Sequence, residues 1–112
     1  MRVLIIDDNA ALCESLQVYF QDEGHVAEFA VTHDAAVAMD PETYDLLLID
    51  YVLDKPHRGT EIAEKAQKPD VVMMSGYLDL ARLVKLHERW TFMSKPVYRE
   101  SILGLLREVA TG

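Results

Sequence analysis

Charged and hydroxyl side chains directly follow four short apolar runs of the sequence. The clearest run, residues 46–49, leads straight into Asp50. An uninterrupted apolar run of this length is typical of a strand buried on both faces in a parallel sheet. The corresponding residues after the other runs are Asp7, Asp8, Ser75 and Lys95. Because open α/β sheets bind ligands outside the carboxyl ends of their strands, we expect these side chains to converge on Asp50.

Three of these residues are acids, and bringing them together has an electrostatic cost. Two carboxylates about 4 Å apart repel each other by about 4 kcal/mol at an effective dielectric constant of about 20. Either some of them take up protons or a hard cation binds between them. Mg²⁺ in proteins binds one or two carboxylates, several waters and the phosphate oxygens of a substrate. The cluster therefore predicts Mg²⁺ and a phosphoryl group, with Asp50 as the nucleophile and Lys95 and Ser75 bound to phosphoryl oxygens.

Each of these residues also has an ordinary structural interpretation. An acid pair before a helix commonly caps the helix or interacts with its dipole. A serine after a strand is commonly a turn residue, and a Lys-Pro pair at a strand end is commonly part of a loop. The functional interpretation depends on finding all of them together, at the ends of four different strands.

The elements that must position these side chains alternate along the chain. Apolar residues with helical spacing follow Asn9, a suitable N-cap, and stop at Gly24. Residues 25–31 alternate in polarity and include Glu28, which is typical of a half-exposed edge strand. Further helices are predicted over residues 34–39, 60–66 and 78–89 and near the end of the chain.

Five strand–helix units with short connections predict an α/β fold. We expect a doubly wound, five-stranded parallel sheet with helices on both faces. An amphipathic second strand belongs at an edge of the sheet, which favours the flavodoxin-like strand order 2-1-3-4-5. We expect residues 1–112 to form one domain, since half of the residues are hydrophobic and can fill a single core.

Composition argues against several classes of function. A net charge of −8 argues against nonspecific nucleic-acid binding and against an anionic membrane surface, but permits Mg²⁺ or a partner with a basic patch. The apolar runs are too short to span a bilayer, and the first residues do not form a signal peptide. Cys13 is the single cysteine, so no disulfide forms within the chain. We therefore expect a cytoplasmic protein.

The site residues together resemble the receiver domain of bacterial two-component response regulators, of the chemotaxis-regulator type. The resemblance covers essentially the whole chain. The matching residues are the acidic pair Asp7-Asp8, the phosphoacceptor Asp50, the hydroxyl residue Ser75 and the motif Lys95-Pro96.

This resemblance implies a switch controlled by phosphorylation. Asp50 would accept a phosphoryl group from a histidine kinase or a phosphotransfer protein. Mg²⁺ would be held by Asp8, Asp50 and the backbone carbonyl of Val52, with Asp7 acting largely through water. Phe92 matches the aromatic switch position. The resemblance implies no enzymatic activity beyond the domain's own phosphorylation and dephosphorylation.

The resemblance also implies where a partner binds. It places the output surface on the helix predicted over residues 78–89, the fifth strand and the final helix. On the first of these, Arg82, Lys85 and Arg89 form a basic face. The partner would be a downstream protein or an output domain, and phosphorylation could also drive dimerisation. We expect a stand-alone receiver, a receiver cut from a larger protein or the receiver part of a hybrid kinase.

The sequence departs from the family pattern after the third strand. Asp54 stands where the family usually has proline, and Gly59 comes nine residues after Asp50, where eight is common. The loop therefore looks one residue longer and more acidic than usual. Val52 and Tyr77 match the positions that control the approach of water to the phosphoryl group. Because one is apolar and the other aromatic, we expect slow autodephosphorylation.

Two other functions are compatible with parts of the pattern. One is an interaction module with the same fold that is never phosphorylated, although such modules usually lack one of the site residues. The other is a phosphatase with an aspartyl nucleophile, of the haloacid dehalogenase type. That class needs an acid two residues after the nucleophile, where this chain has Val52.

Overall fold

The structure, a computed structural model, describes residues 1–53, 59–76 and 89–111. Several predictions fall outside the described residues. They concern Asp54, Tyr77, Arg82, Lys85 and the helix predicted over residues 78–89.

Five parallel strands form one sheet in the order β2-β1-β3-β4-β5, which confirms the predicted topology. The strands are β1 (Arg2–Ile6), β2 (Val26–Ala30), β3 (Leu46–Asp50), β4 (Asp70–Ser75) and β5 (Thr91–Ser94). All five residues of β3 are buried, as expected of a central strand covered on both faces. In β2, Val26 is exposed and Ala27 is buried, as expected of an edge strand.

The described helices are α1 (Ala10–Asp22), α2 (His33–Ala38), α3 (Gly59–Lys65) and α4 (Arg99–Thr111). Successive residues of a strand point to opposite sides of the sheet, so each strand contributes apolar side chains to both faces. The helices pack on both faces and cover these side chains. Leu47 packs with Ile62 of α3 on one side, whereas Leu48 packs with Leu16 of α1 and Ile102 of α4 on the other. No helix in the described part of the chain has the length and apolar character that crossing a membrane requires.

Short-range signals set the ends of α1. The Asn9 side chain accepts a hydrogen bond from the backbone N–H of Leu12, as predicted for an N-cap. Gly24 has a φ of 86°, a left-handed conformation that glycine adopts without steric cost. One element was not predicted. A 3₁₀ turn (Pro41–Thr43) follows Asp40, just beyond the helix predicted over residues 34–39.

Candidate functional site

The site lies where four strands of the sheet end. Backbone hydrogen bonds continue one residue beyond the strands. They hold the residues that follow β1 and β5 beside the ends of the neighbouring strands. The N–H of Asp7 donates to the carbonyl of Ala30, and the N–H of Lys95 donates to the carbonyl of Ser75. Tyr51, directly after Asp50, is held to β4 by a 2.8 Å hydrogen bond to the Met74 carbonyl. Parallel pairing therefore brings residues that are far apart in sequence to one edge.

The three predicted acids meet at this edge. One carboxylate oxygen from each of Asp7, Asp8 and Asp50 lies within 4.8 Å of the others. Asp7 is fully buried, Asp50 is 8% exposed, and Asp8 lies at the solvent-exposed side of the cluster. The chain thus forms a concentrated set of oxygen donors, the kind that suits a hard cation such as Mg²⁺.

Lys95 supplies a positive charge inside the cluster. Its Nζ lies 2.8 Å from Oδ2 of Asp7 and 3.4 Å from Oδ1 of Asp50. Partial burial favours the neutral amine, but the hydrogen bond to Asp7 and the charges of both carboxylates outweigh this effect and raise the pKa of Lys95. Lys95 therefore stays protonated at neutral pH and offsets part of the repulsion between the two acids.

Asp50 remains electrostatically strained in spite of Lys95. Burial, followed by the negative charge of Asp7, raises the pKa of Asp50 to about 6, although Lys95 and the Val52 N–H act in the opposite direction. That N–H lies 3.3 Å from Oδ1 of Asp50. Burial and the charge of Asp7 also raise the pKa of Asp8. The negative charge of the cluster is therefore only partly compensated by Lys95, and a proton or a metal ion can compensate the rest.

Asp7 is the most firmly held of the three acids. Its Oδ1 accepts a 2.9 Å hydrogen bond from the N–H of Asn9, and its Oδ2 faces Lys95. The buried thiol of Cys13 donates to its backbone carbonyl over 3.3 Å. Burial and the charge of Asp7 raise the pKa of Cys13 to about 11, so the thiol stays protonated. Cys13 is thus a core residue whose thiol contacts the backbone of Asp7.

A small cavity opens beside Asp50. Its volume is about 260 Å³, and it is lined by Asp50, Tyr51, Val52, Ser75 and Gly76. A water molecule occupies about 30 Å³ in the liquid, so the cavity has room for a phosphoryl group together with water. Ser75 is buried at the end of β4, at the wall of this cavity. The structure thus places Asp50, Ser75 and Val52 around one space, as the strand order predicts.

Sequence reasoning missed the part that Gly59 plays in the geometry of the site. In the sequence, Gly59 indicated only the length of the loop after β3. In the structure, a Cβ added to Gly59 would lie 2.2 Å from the carbonyl oxygen of Asp50 and 2.5 Å from Cγ2 of Ile49. The first residue of α3 therefore packs directly on the backbone of Asp50. An apolar strand followed by a glycine at a helix start is the signal that could have indicated it.

The second unpredicted contact is between two rings. Phe92 of β5 is partly buried, and its ring centroid lies 6.0 Å from that of Tyr51, with the planes inclined by 57°. Both rings pack against the core on the α2 and α3 side of the sheet. Nothing in the spacing of Tyr51 marks it in the sequence, but in the structure it lies between the cavity and the predicted switch residue.

The raised pKa of Asp50 makes a prediction about stability without metal. Asp50 has a pKa of about 6 in the folded state and 3.8 in the unfolded state. Its ionisation therefore lowers the free energy of unfolding as the pH rises between these two values. In EDTA, Asp50→Asn should therefore be more stable than the wild type by up to about 3 kcal/mol at about pH 7.5, and by much less at about pH 4.5. Urea unfolding at both pH values measures the difference. Asp34→Asn, at an exposed acid, is the matched control, and a stability gain that does not change with pH would contradict the prediction.

Comparison with known proteins identifies the family. The sequence profile of the response regulator receiver domain matches residues 3–107. The chain belongs to this family. A search of curated proteins finds no match.

Solved structures of receiver domains share the fold. A CheY-like response regulator receiver domain protein from Methanospirillum hungatei is 30% identical, with a TM-score of 0.81, over 96% of this chain and 91% of that one. The chemotaxis response regulator CheY4 of Vibrio cholerae is 20% identical, with a TM-score of 0.80, over 96% and 97%. NtrX from Brucella abortus is 26% identical, with a TM-score of 0.79, and the match covers 98% of this chain but only 27% of NtrX. The same receiver fold thus occurs both alone and within longer chains.

Proposed function

We propose that this receiver domain is a phosphorylation-controlled switch in which Asp50 accepts the phosphoryl group. The observation that carries the proposal is the position of Asp50 at the wall of the cavity, with a lysine amine 3.4 Å away and two further acids beside it. The roles of these side chains are those that the family resemblance implies, and their arrangement is the support for assigning them.

The transfer step uses one carboxylate oxygen of Asp50 as the nucleophile. As this oxygen forms a bond to phosphorus, the bond from phosphorus to the donor breaks, and the electron pair leaves with the donor, an imidazole nitrogen in a phosphohistidine. With a pKa of about 6, Asp50 is mostly ionised at neutral pH and more basic than an ordinary aspartate. Lys95 pairs with one phosphoryl oxygen, and Ser75 donates a hydrogen bond to another.

The acids fit the magnesium ion that the family implies. Asp8, Asp50 and the backbone carbonyl of Val52 would hold Mg²⁺, whose bound charge would offset that of the phosphoryl and carboxylate oxygens. An indirect role suits Asp7, because the Asn9 N–H and Lys95 already contact its two oxygens. The raised pKa values of Asp8 and Asp50 are consistent with this ligand set, since both acids lack sufficient positive charge nearby.

Phosphorylation would change the partners of Lys95. A phosphoryl group adds about two negative charges and strong hydrogen-bond acceptors. Lys95, which bridges Asp7 and Asp50, would then bind the phosphoryl group, and Ser75 would move toward it. Shifting a two-state equilibrium from 1:99 to 99:1 requires about 5.5 kcal/mol of differential stabilisation. Charge-assisted hydrogen bonds to a phosphoryl group, together with the metal, are interactions of this magnitude.

The proposed partners follow from the family. The donor is a histidine kinase or a phosphotransfer protein, and the output is a downstream protein, an output domain or a second copy of the chain. The output surface would include β5 and α4 with the helix predicted over residues 78–89. A cytoplasmic location belongs to the proposal and suits a buried, unpaired cysteine.

Intact-mass measurement after incubation with acetyl phosphate and Mg²⁺ tests the proposal. We expect the wild type and the control Asp34→Asn to gain one phosphoryl group, and Asp50→Asn to gain none. A wild type that gains no phosphoryl group would favour an unphosphorylated interaction module. Rapid multiple turnover of a phosphomonoester would favour a phosphatase instead.

A further inference from the structure

Tyr51 lies between the cavity at Asp50 and the ring of Phe92. We propose that Tyr51 is a positioning residue that holds Phe92 in its orientation and transmits the occupancy of the Asp50 site to β5. The transmission part rests on the proposed function, whereas the positioning part stands on the contact alone.

The backbone of Tyr51 is fixed on two sides. It shares a peptide group with Asp50, and its N–H donates a 2.8 Å hydrogen bond to the Met74 carbonyl of β4. The Cα atom of Tyr51, from which the side chain extends, is therefore held in place at the carboxyl end of β3. A group bound at Asp50 would lie beside Tyr51, because both residues line the same cavity.

The ring of Tyr51 reaches across β4 to the edge strand of the sheet. Phe92 is paired in register with Met73 of β4, and β4 separates β5 from β3. The centroid distance of 6.0 Å and the tilt of 57° lie within the range of attractive aromatic pairs. Both rings are partly buried against the same core, so a shift of one ring requires the other to repack.

The strength of this contact sets the size of the expected effect. An aromatic pair of this geometry favours one ring orientation over another by about 2- to 10-fold. That bias is large enough to set which orientation of Phe92 dominates before phosphorylation. It is also small enough for new contacts at Asp50 to reverse.

Fluorine NMR with 4-fluorophenylalanine in place of Phe92 tests the inference. Four proteins are compared: the otherwise unchanged chain, Tyr51→Phe, Tyr51→Leu and the control Tyr98→Leu, which removes an exposed ring elsewhere. Tyr51→Phe keeps the ring without the hydroxyl, and Tyr51→Leu keeps apolar bulk without the ring. Tyr51→Met replaces Tyr51→Leu if the latter does not fold.

Each spectrum is recorded before and after treatment with acetyl phosphate and Mg²⁺, and the response is expressed per phosphorylated molecule, as counted by intact mass. In the unmodified protein, Tyr51→Leu should move the resonance or change the ratio of two resonances about 2- to 10-fold. Tyr98→Leu should match the parent, and Tyr51→Phe, which keeps the ring, should stay closer to the parent than Tyr51→Leu does. After phosphorylation, the response of the resonance should be at least about halved in Tyr51→Leu.

Two results would overturn the inference. The first is an unmodified Tyr51→Leu spectrum identical to that of the parent, which would remove the positioning role. The second is a full-size response in phosphorylated Tyr51→Leu, or no response in the phosphorylated parent, which would remove the transmission. If the parent takes up no phosphoryl group, the proposed function fails together with the transmission, while the unmodified spectra still decide whether Tyr51 positions Phe92.

Discussion

Replacing Lys95 with alanine should reduce the rate of phosphorylation of Asp50 by about 10²- to 10³-fold, because a preorganised group that stabilises developing charge typically contributes this much. The Nζ of Lys95 lies within 3.4 Å of both Asp7 and Asp50, so it is the group placed to meet a phosphoryl oxygen. The measurement is a time course of mass gain with acetyl phosphate and Mg²⁺.

The same substitution should also change the charge state of the site. Without Lys95, the fully buried Asp7 would lose its ion-pair partner, and removal of one member of a buried pair typically costs about 3–5 kcal/mol. Since Lys95 lowers the pKa of Asp50, that pKa should rise further in the variant, and protonation would relieve part of the cost.

Two controls separate these effects from a general loss of charge. Lys95→Arg keeps a positive charge but changes its geometry, so it should recover much of the stability and little of the rate. Lys68→Ala removes an exposed lysine elsewhere and should leave the rate unchanged. A rate within about threefold of wild type in Lys95→Ala would rule out the role assigned to this side chain.

Replacing Gly59 with alanine should lower the free energy of unfolding by about 1–3 kcal/mol, the usual cost of overpacking. The new Cβ would overlap the carbonyl oxygen of Asp50 at 2.2 Å. Because this neighbour is backbone, rotation of a side chain cannot relieve the overlap, and either α3 or the end of β3 must move. A displaced Asp50 should also be phosphorylated more slowly. Urea unfolding and the mass-gain time course measure the two effects.

Gly104 provides a matched control for this prediction. It lies within α4, and a Cβ added there would meet no atom within 4 Å. Gly104→Ala should therefore stabilise the chain by about 0.5–1 kcal/mol through helix propensity alone. If Gly59→Ala is stabilised to the same extent, the close approach of α3 to Asp50 does not constrain the site.

The acidic cluster could be predicted because its members are marked locally. Asp7, Asp50 and Ser75 directly follow or end an apolar run, and Lys95 follows the last run after Ser94. Parallel strands bring such positions to one edge of the sheet. The edge position of β2 followed from its alternating polarity. The 3₁₀ turn after Asp40 could not be predicted, because a proline signals a break in a helix without fixing the geometry that replaces it.

Local sequence patterns were enough to predict the parallel sheet, its strand order and the set of side chains at its carboxyl end, because apolar periodicity and strand ends are properties of neighbouring residues. The packed fold was needed to show which atoms meet: Lys95 between Asp7 and Asp50, Gly59 against the Asp50 carbonyl, and Tyr51 against Phe92. These contacts join different strands and a helix. They depend on distances of a few ångströms between elements, which the packing of the whole core sets.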